Sequence, residues 1–244
     1  MMQKVINYIA GGLFFVAALL FMGVPESSAQ YSHQGTQGTI YAVKGGLTMG
    51  NQRWSQVNRR PLMKYHIAGM IESWDDENSN AVFAQLGYHL RGSAIRFNRR
   101  ISQTTGQELP GRTDEFRFHN ISLVLGAKQK FEMFTDSRLY YLVGVRADYN
   151  LKADFDRSTF ENVKEGVNRI TAGVTVGGGL EVPFGRRAGG FVELTVSPDF
   201  TNQIFIPPHR NWRDPNRMNP EQKVINVSIE LSFGLRFMRE VIYY

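Results

Sequence analysis

The sequence predicts an all-β chain: eight antiparallel strands closed into a transmembrane up-and-down barrel, the first strand pairing with the last. Three observations carry this. Apolar and polar residues alternate strictly over segments longer than the ~5–6 residues of a soluble strand, matching the ~9–11 that a tilted strand needs to cross a bilayer. The connections alternate long and short, as outer loops and periplasmic turns do. The strand count is even, as single-chain bacterial barrels require.

The last segment, VINVSIELSFGLRF, sets the pattern. Ile225, Val227, Ile229, Leu231, Phe233, Leu235 and Phe237 share one face, with Asn226, Ser228, Glu230, Ser232, Gly234 and Arg236 on the other. Period-two alternation puts these sets on opposite faces of a strand. One becomes a lipid-facing row and the other a lumen row.

At the other end, Lys4, an apolar run from about Tyr8 to Val24, and the small residues Ser27 and Ala29 have the order of a secretory signal peptide. Residues 1–29 are therefore read as a leader cleaved after Ala29, and 30–244 as the barrel domain. There is no cysteine, which excludes disulfides, thiolate metal sites, a cysteine nucleophile and a lipid-modified N-terminal cysteine. The net charge of +6 is scattered. It suits contact with anionic outer-membrane lipid and lipopolysaccharide, and excludes nucleic acid as a partner, since the basic residues form no run.

Strand one places Tyr41, Val43, Leu47 and Met49 outward, with Ala42, Lys44, Gly46 and Thr48 inward. Pro61 ends the first loop. Strand two turns Met63, Tyr65, Ile67 and Ile71 outward and Lys64, His66, Ala68, Met70 and Glu72 inward. After the polar turn DDENSN, strand three sends Val82, Leu86, Tyr88 and Leu90 to lipid and Phe83, Gln85, Gly87, His89 and Arg91 to the lumen. A polar stretch from about Ile95 to Thr113 follows. Strand four is ambiguous: Ile121, Leu123 and Leu125 share a face, whereas Phe116 and Phe118 have the opposite phase. Either a bulge near Asn120 reconciles them, or the two aromatics point inward near the rim. Strand five sets Leu139, Tyr141, Val143, Val145 and Tyr149 against Tyr140, Gly144, Arg146 and Asp148. Strand six sets Ile170, Val174, Val176, Leu180 and Val182 against Thr171, Gly173, Thr175, Gly177 and Glu181. Strand seven sets Val192, Leu194 and Val196 against Phe191, Glu193, Thr195 and Ser197. Connections one, three, five and seven take about 10–22 residues, the others about 6–8. Tyr41, Trp74, Phe184 and Phe237 fall at the short-turn end, where an aromatic girdle belongs.

Backbone groups left unpaired in hydrocarbon cost several kcal/mol each, so an open edge is not viable and the barrel must close. The structural alternative is a soluble lipocalin-like binding barrel, which would carry the apolar rows inside.

An eight-stranded barrel is just wide enough for side chains to fill it. Lys44, Lys64, His66, Glu72, His89, Arg91, Arg146, Asp148, Glu181, Glu193, Glu230 and Arg236 are expected to form a polar lumen network. Within it, a Lys44–Glu230 pair should cross the closing seam, and Arg236 should meet Glu193 or Glu181. A turn centred near Glu77 and Asn78 sets His66 against His89, Lys64 against Arg91 and Glu72 against Phe83. The Lys64 and Arg91 charges then call for an acid such as Asp148 or Glu115. Two histidines without a nearby carboxylate make a poor metal site, so no metal, no cofactor and no catalytic set is assigned. Ser93, His89 and Asp148 form a relay only on paper. His119 joins the lumen histidines if strand four bulges, and otherwise points to lipid. The connection from Asn202 to Gln222 holds Arg210, Trp212 and Arg213, residue types common in binding hot spots. Its prolines, Pro207, Pro208, Pro215 and Pro220, should stop it from extending the sheet.

The segments PLMKYHIAGMIES, FAQLGYHLRGSAIRF and FHNISLVLGAKQKF, with the strand-one stretch KGGLTMGNQ, resemble the porin-like, PorT-type outer-membrane β-barrel proteins of Bacteroidota. Where members often carry a Glu-Ile-Pro-type core in strand four, this chain has Asn120-Ile121-Ser122. The resemblance implies an exported barrel, and its name-giving branch assists type IX secretion. Together the readings give a non-enzymatic outer-membrane barrel with a filled lumen and long outer loops, structural or binding a partner; the alternative in another class is a small barrel enzyme modifying lipid A.

Overall fold

The computed structural model describes residues 37–53, 60–75, 78–97, 100–101, 108–134, 137–155, 166–185, 187–210 and 218–241. The leader lies outside them. Eight long strands alternate in direction: β1 (Gln37–Arg53), β2 (Arg60–Asp75), β3 (Asn80–Phe97), β4 (Arg112–Phe134), β5 (Ser137–Phe155), β6 (Ile170–Pro183), β7 (Ala188–Pro198) and β8 (Gln222–Val241). Each pairs antiparallel with its sequence neighbour, and β8 returns to β1, from Gln37 opposite Val241 to Arg53 opposite Ile225. The sheet has no free lateral edge through the membrane, as hydrocarbon demands.

The closure is staggered. Neighbour-to-neighbour partners lead from Ile40 through Glu72, Phe83, Gly126 and Gly144 to Thr175, whose hydroxyl meets that of Ser197. From Ser197 they pass through Ser228 to Gly50, ten residues along β1 from the start. A stagger of this kind tilts the strands by roughly 35–45° to the barrel axis.

The alternation expected from the sequence governs every strand. Val43, Ile67, Val82, Val145, Ile170, Leu194 and Phe233 are exposed on the outer surface. Lys44, His66, Glu72, Arg91, Arg146, Glu193 and Glu230 are buried inside. This overturns the lipocalin-like alternative, because the apolar rows face out and the charges face in. Leu90 is an exception: expected on the lipid face, it is buried, near where the β2–β3 pairing shifts register between Pro61 and His66.

The phase of strand four is now fixed. Asp114, Phe116, Phe118, Asn120 and Ser122 are all buried, so β4 keeps one alternation throughout. The irregularity lies across the pairing: His119 sits opposite Lys152 and Asn120 opposite Asn150, leaving Leu151 of β5 as the extra residue. The two phenylalanines therefore point inward near the rim.

Apart from the one before β8, residues 199–221, connections are shorter than expected because the hairpins zip further. Only residues 54–59 join β1 to β2, and 135–136 join β4 to β5. In the turn from β6 to β7, Gly185 has φ +125°, a backbone shape that side chains disfavour. The connection before β8 does extend the sheet, contrary to expectation: Ile204–Ile206 pairs with Gln222–Val224, while His209–Arg210 and Met218–Asn219 form a separate two-stranded sheet. Pro207 and Pro208 separate the two pairings. Tyr41 lies opposite Phe237 at the short-turn end, and Phe131 packs beside Tyr141 there, with ring centroids 5.7 Å apart. Trp74 shares the girdle's level but has the lumen phase of Met70 and Glu72.

Candidate functional site

The lumen is filled in layers. Nearest the short turns is a lattice of five charges. Lys128 donates to Glu72 at 2.6 Å and to Glu181 at 3.4 Å; Lys130 pairs with the same two acids; Arg236 donates to Glu181 at 2.5 Å. An apolar layer packs against it: Ala42, Met70, Phe83, Val124, Tyr140, Leu142 and Phe191. Two of its rings fill gaps left by glycine. Tyr140 lies across from Gly179, and Phe191 across from Gly234, where any side chain would collide with the ring. Lys128 Nζ sits 4.3 Å from the Tyr140 ring centroid, tying the two layers together.

Next come Lys44, paired with Glu193, and the Tyr140 hydroxyl, which donates to Glu193 at 2.8 Å. In the middle, the imidazoles of His66 and His89 stack with centroids 5.4 Å apart. Thr48 Oγ1 and Ser232 Oγ each lie 2.9 Å from a nitrogen of His66. Glu230 meets His89 Nδ1 at 2.8 Å and accepts from Arg91 at 3.2 Å. Arg91 also donates to Asp148 at 2.7 Å, Arg146 reaches Asp148 at 2.9 Å, and Arg146 pairs with Asp199. The void left among Lys44, His89, Arg91, Arg146 and Glu230 is about 10 Å³, room for about one water.

The ion pairs join six cations (Lys44, Arg91, Lys128, Lys130, Arg146, Arg236) to six carboxylates (Glu72, Asp148, Glu181, Glu193, Asp199, Glu230). The set is neutral. A buried charge without a partner costs several kcal/mol, and here each has at least one.

Above the charges the lumen turns apolar again. Ile204, carried in by the connection before β8, is fully buried with Ile95, Phe116, Phe118 and Val224, and Val167, Ile206 and Phe155 pack against them. Gln203 holds this strap down by accepting from Gln52 at 2.7 Å, and Ser93 donates to Gln52 at 2.7 Å. The mouth is thus stoppered by an apolar plug.

Eleven of the twelve expected network residues lie in the lumen. Lys64 does not: it pairs at 2.8 Å with Glu115, both partly exposed. The Lys64–Arg91 opposition fails because the β2–β3 register slips there, so each finds its own acid. His66 does lie opposite His89 and Glu72 opposite Phe83. Arg236 meets Glu181, as expected. The Lys44–Glu230 pair does not form: the seam sets Lys44 opposite Gly234 and Glu230 opposite Thr48, four residues or roughly 13 Å apart along the strand. The Ser93–His89–Asp148 relay is not assembled, since each bonds elsewhere. Lys128, Lys130 and Asp199 were missed. The first two share the phase of Phe116 and Phe118, so fixing that phase would have revealed them. Arg210 contributes its backbone to a short pairing; its side chain, Trp212 and Arg213 lie outside the described residues.

His66, His89 and Glu230 bring ligand atoms within 4.8 Å of one another, supplying the carboxylate that the sequence reading lacked. Both nitrogens of His66 are committed to Thr48 and Ser232, and Glu230 to Arg91 and His89 Nδ1, while His89 Nε2 has no hydrogen-bond partner among the described residues; a dication would unbalance a neutral lattice.

On the outer surface, Tyr88 Oη lies 2.5 Å from His119 Nδ1, and His119 Nε2 lies 3.2 Å from Asp154. With β4 unbulged, His119 takes the lipid-facing phase.

A charged, side-chain-filled interior inside an apolar barrel wall is the arrangement of a membrane barrel, and sequence comparison agrees. The profile of the outer membrane protein beta-barrel domain family matches residues 29–203. The chain belongs to that family. It is an outer-membrane β-barrel protein, and its apolar wall faces the lipid of that membrane. No curated protein matches it in sequence. Among solved structures it is similar to Ail, the attachment invasion locus protein of Yersinia pestis in complex with the heparin analogue sucrose octasulfate. That match has 14% identity, covers 82% of this chain and 99% of that one, and has a TM-score of 0.40. Neisserial surface protein A matches at 12% identity over 81% and 96% of the two chains, TM-score 0.41. The outer membrane protease OmpT of Escherichia coli matches at 9% identity over 87% and 99%, TM-score 0.39. None of these decides what this barrel does.

Proposed function

We propose that this protein is a non-enzymatic barrel whose lumen is a strut rather than a channel, and whose outer loops bind a protein partner. Residues 1–29 serve as its export signal, removed after Ala29. The observation that carries the reading is the doubly closed lumen: among the described residues, a neutral lattice below and an apolar plug above leave no passage through it, and the void among its charges is about 10 Å³. What the molecule offers is its rim. The connection before β8 suits that role, because its inner part is anchored in the plug while Met218 is exposed beyond it. The resemblance to PorT-type barrels favours an accessory to secretion as the finer role.

The test is a photo-crosslinking residue at Met218 in the native outer membrane, with an epitope near Asn216 reporting which side the loop occupies. The expected result is one discrete adduct and an epitope accessible on intact cells. A barrel that crosslinks to nothing, while the purified protein releases acyl chains from lipopolysaccharide, would replace this reading with the enzyme.

A further inference from the structure

Trp74 stands at the short-turn end of the barrel but on the wrong face for a girdle residue. It shares the phase of Met70 and Glu72, both buried in the lumen, whereas an interfacial tryptophan normally faces lipid. The ring instead lines a cavity of about 50 Å³ between the turn from β2 to β3 and the ends of β4 and β5. Its Cε3 edge backs onto β1: a side chain at Gly38 would come within 3.1 Å of that atom and within 2.6 Å of the Arg239 carbonyl oxygen. Glycine there lets the indole rest against the strand, with the cavity before it.

The rest of the lining decides the kind of guest. Asn78 Oδ1 accepts from the Asn80 backbone N–H at 2.9 Å, and the Lys130 backbone N–H donates to the Ser79 carbonyl at 2.9 Å. Those bonds fix the turn, and the exposed Asn80 amide, both donor and acceptor, stands at the cavity wall. Acids and bases border the cavity together, Asp75 and Glu132 with Lys130 and Arg138, so a fully charged guest of either sign would meet its like. A neutral guest with its own donor and acceptor fits this lining. The volume sets its size: at about 10–15 Å³ for each water-sized group, there is room for about four heavy atoms. An acetamido group matches: its carbonyl accepts, its N–H donates, and its methyl packs on Ala81 and the indole, which both line the cavity.

We infer that this cavity is a binding site for the acetamido group of an N-acetylated sugar, whose ring stacks on Trp74. The negative face of an indole suits the apolar C–H side of a sugar ring, and the amide and hydroxyl groups around it suit the polar edge. The short turns of such barrels face the periplasm, so the N-acetylated glycan within reach is that of the cell wall. The inference goes beyond the role proposed for the outer loops and stands apart from it, because it uses the opposite end of the barrel.

The test is saturation-transfer NMR on the full mature chain, folded in a detergent without a sugar headgroup. N,N′-diacetylchitobiose is titrated, with chitobiose, cellobiose and N-acetylalanine amide as comparisons. Diacetylchitobiose should bind saturably, with the strongest transfer at its acetyl methyl protons. Chitobiose and cellobiose, which lack the acetyl group, should bind about tenfold more weakly. Asn80→Ala removes a side-chain amide without touching the backbone bond and should weaken binding about fivefold. Trp74→Leu should weaken it about tenfold. Soluble glycan from digested peptidoglycan should displace the disaccharide. No saturable binding, or equal binding of cellobiose, would overturn the acetamido site. Unchanged affinity in both variants would put the binding elsewhere and overturn it as well. Tighter binding of N-acetylalanine amide would overturn the sugar as the guest. Displacement by lipopolysaccharide but not by peptidoglycan glycan would overturn the cell wall as its source. Retained heat-modifiable gel mobility in both variants shows that the barrel is intact.

Discussion

The two ends of the lumen are closed by opposite chemistry. At the short-turn end, the closure is ionic and its side chains all come from barrel strands: Glu72, Lys128, Lys130, Glu181 and Arg236 sit where the register puts them. At the loop end, the closure is apolar and depends on a strap, since Ile204 arrives from a connecting segment and packs on Phe116, Phe118 and Val224. Strand-borne closures are as rigid as the sheet. A strap-borne closure is expected to open without unfolding the barrel, because connecting segments open at lower free energy than the core of a sheet.

The sharpest break should come from orphaning a charge in the strand-borne part. Glu193→Ala leaves Lys44 buried without its carboxylate and should cost about 3–5 kcal/mol. Lys44→Met/Glu193→Gln together should cost much less than the single change. Urea unfolding of the folded, unboiled form measures both; additive losses would mean the two groups do not interact. The strap should give a smaller and more local effect. Ile204→Ala is expected to cost about 2 kcal/mol, with faster hydrogen exchange at residues 203–206 and unchanged exchange in β6 and β7. A uniform acceleration across the barrel would erase the distinction between the two closures. Smaller still is Arg236→Gln, at about 1 kcal/mol, because Lys128 and Lys130 keep Glu181 paired and Arg236 reaches the solvent edge. Finally, chelator treatment should leave the unfolding midpoint where it was. A drop that zinc restores, absent in His89→Ala, would show that the His66–His89–Glu230 cluster holds a metal.

The same contrast explains what could be read from sequence. Strand parity delivered the lipid row, the closing seam, the His66–His89 opposition and most lumen charges, because a period of two leaves only one choice of face. Partner choice inside the lumen was less legible. Lys44 and Glu230 lie on adjacent strands in the right phase, yet the stagger of the seam separates them, and stagger is not written in either strand alone. The strap was illegible for another reason: Ile204 and Ile206 look like ordinary loop residues among prolines, and only the folded mouth supplies their partners. Strand four concealed Lys128 and Lys130 because Phe116 and Phe118 suggested a bulge on β4 that is found on β5 instead.

The barrel is filled and stoppered at both ends. Ion conductance across a planar bilayer holding the refolded protein tests it most directly. The wild type should show no discrete conductance steps, and Ile204→Ser/Phe118→Ser none either, because the charged lattice and the Tyr140–Phe191 layer still block the lumen beneath an opened mouth. Steady open-channel steps from the wild type, or from the mouth variant alone, would contradict it.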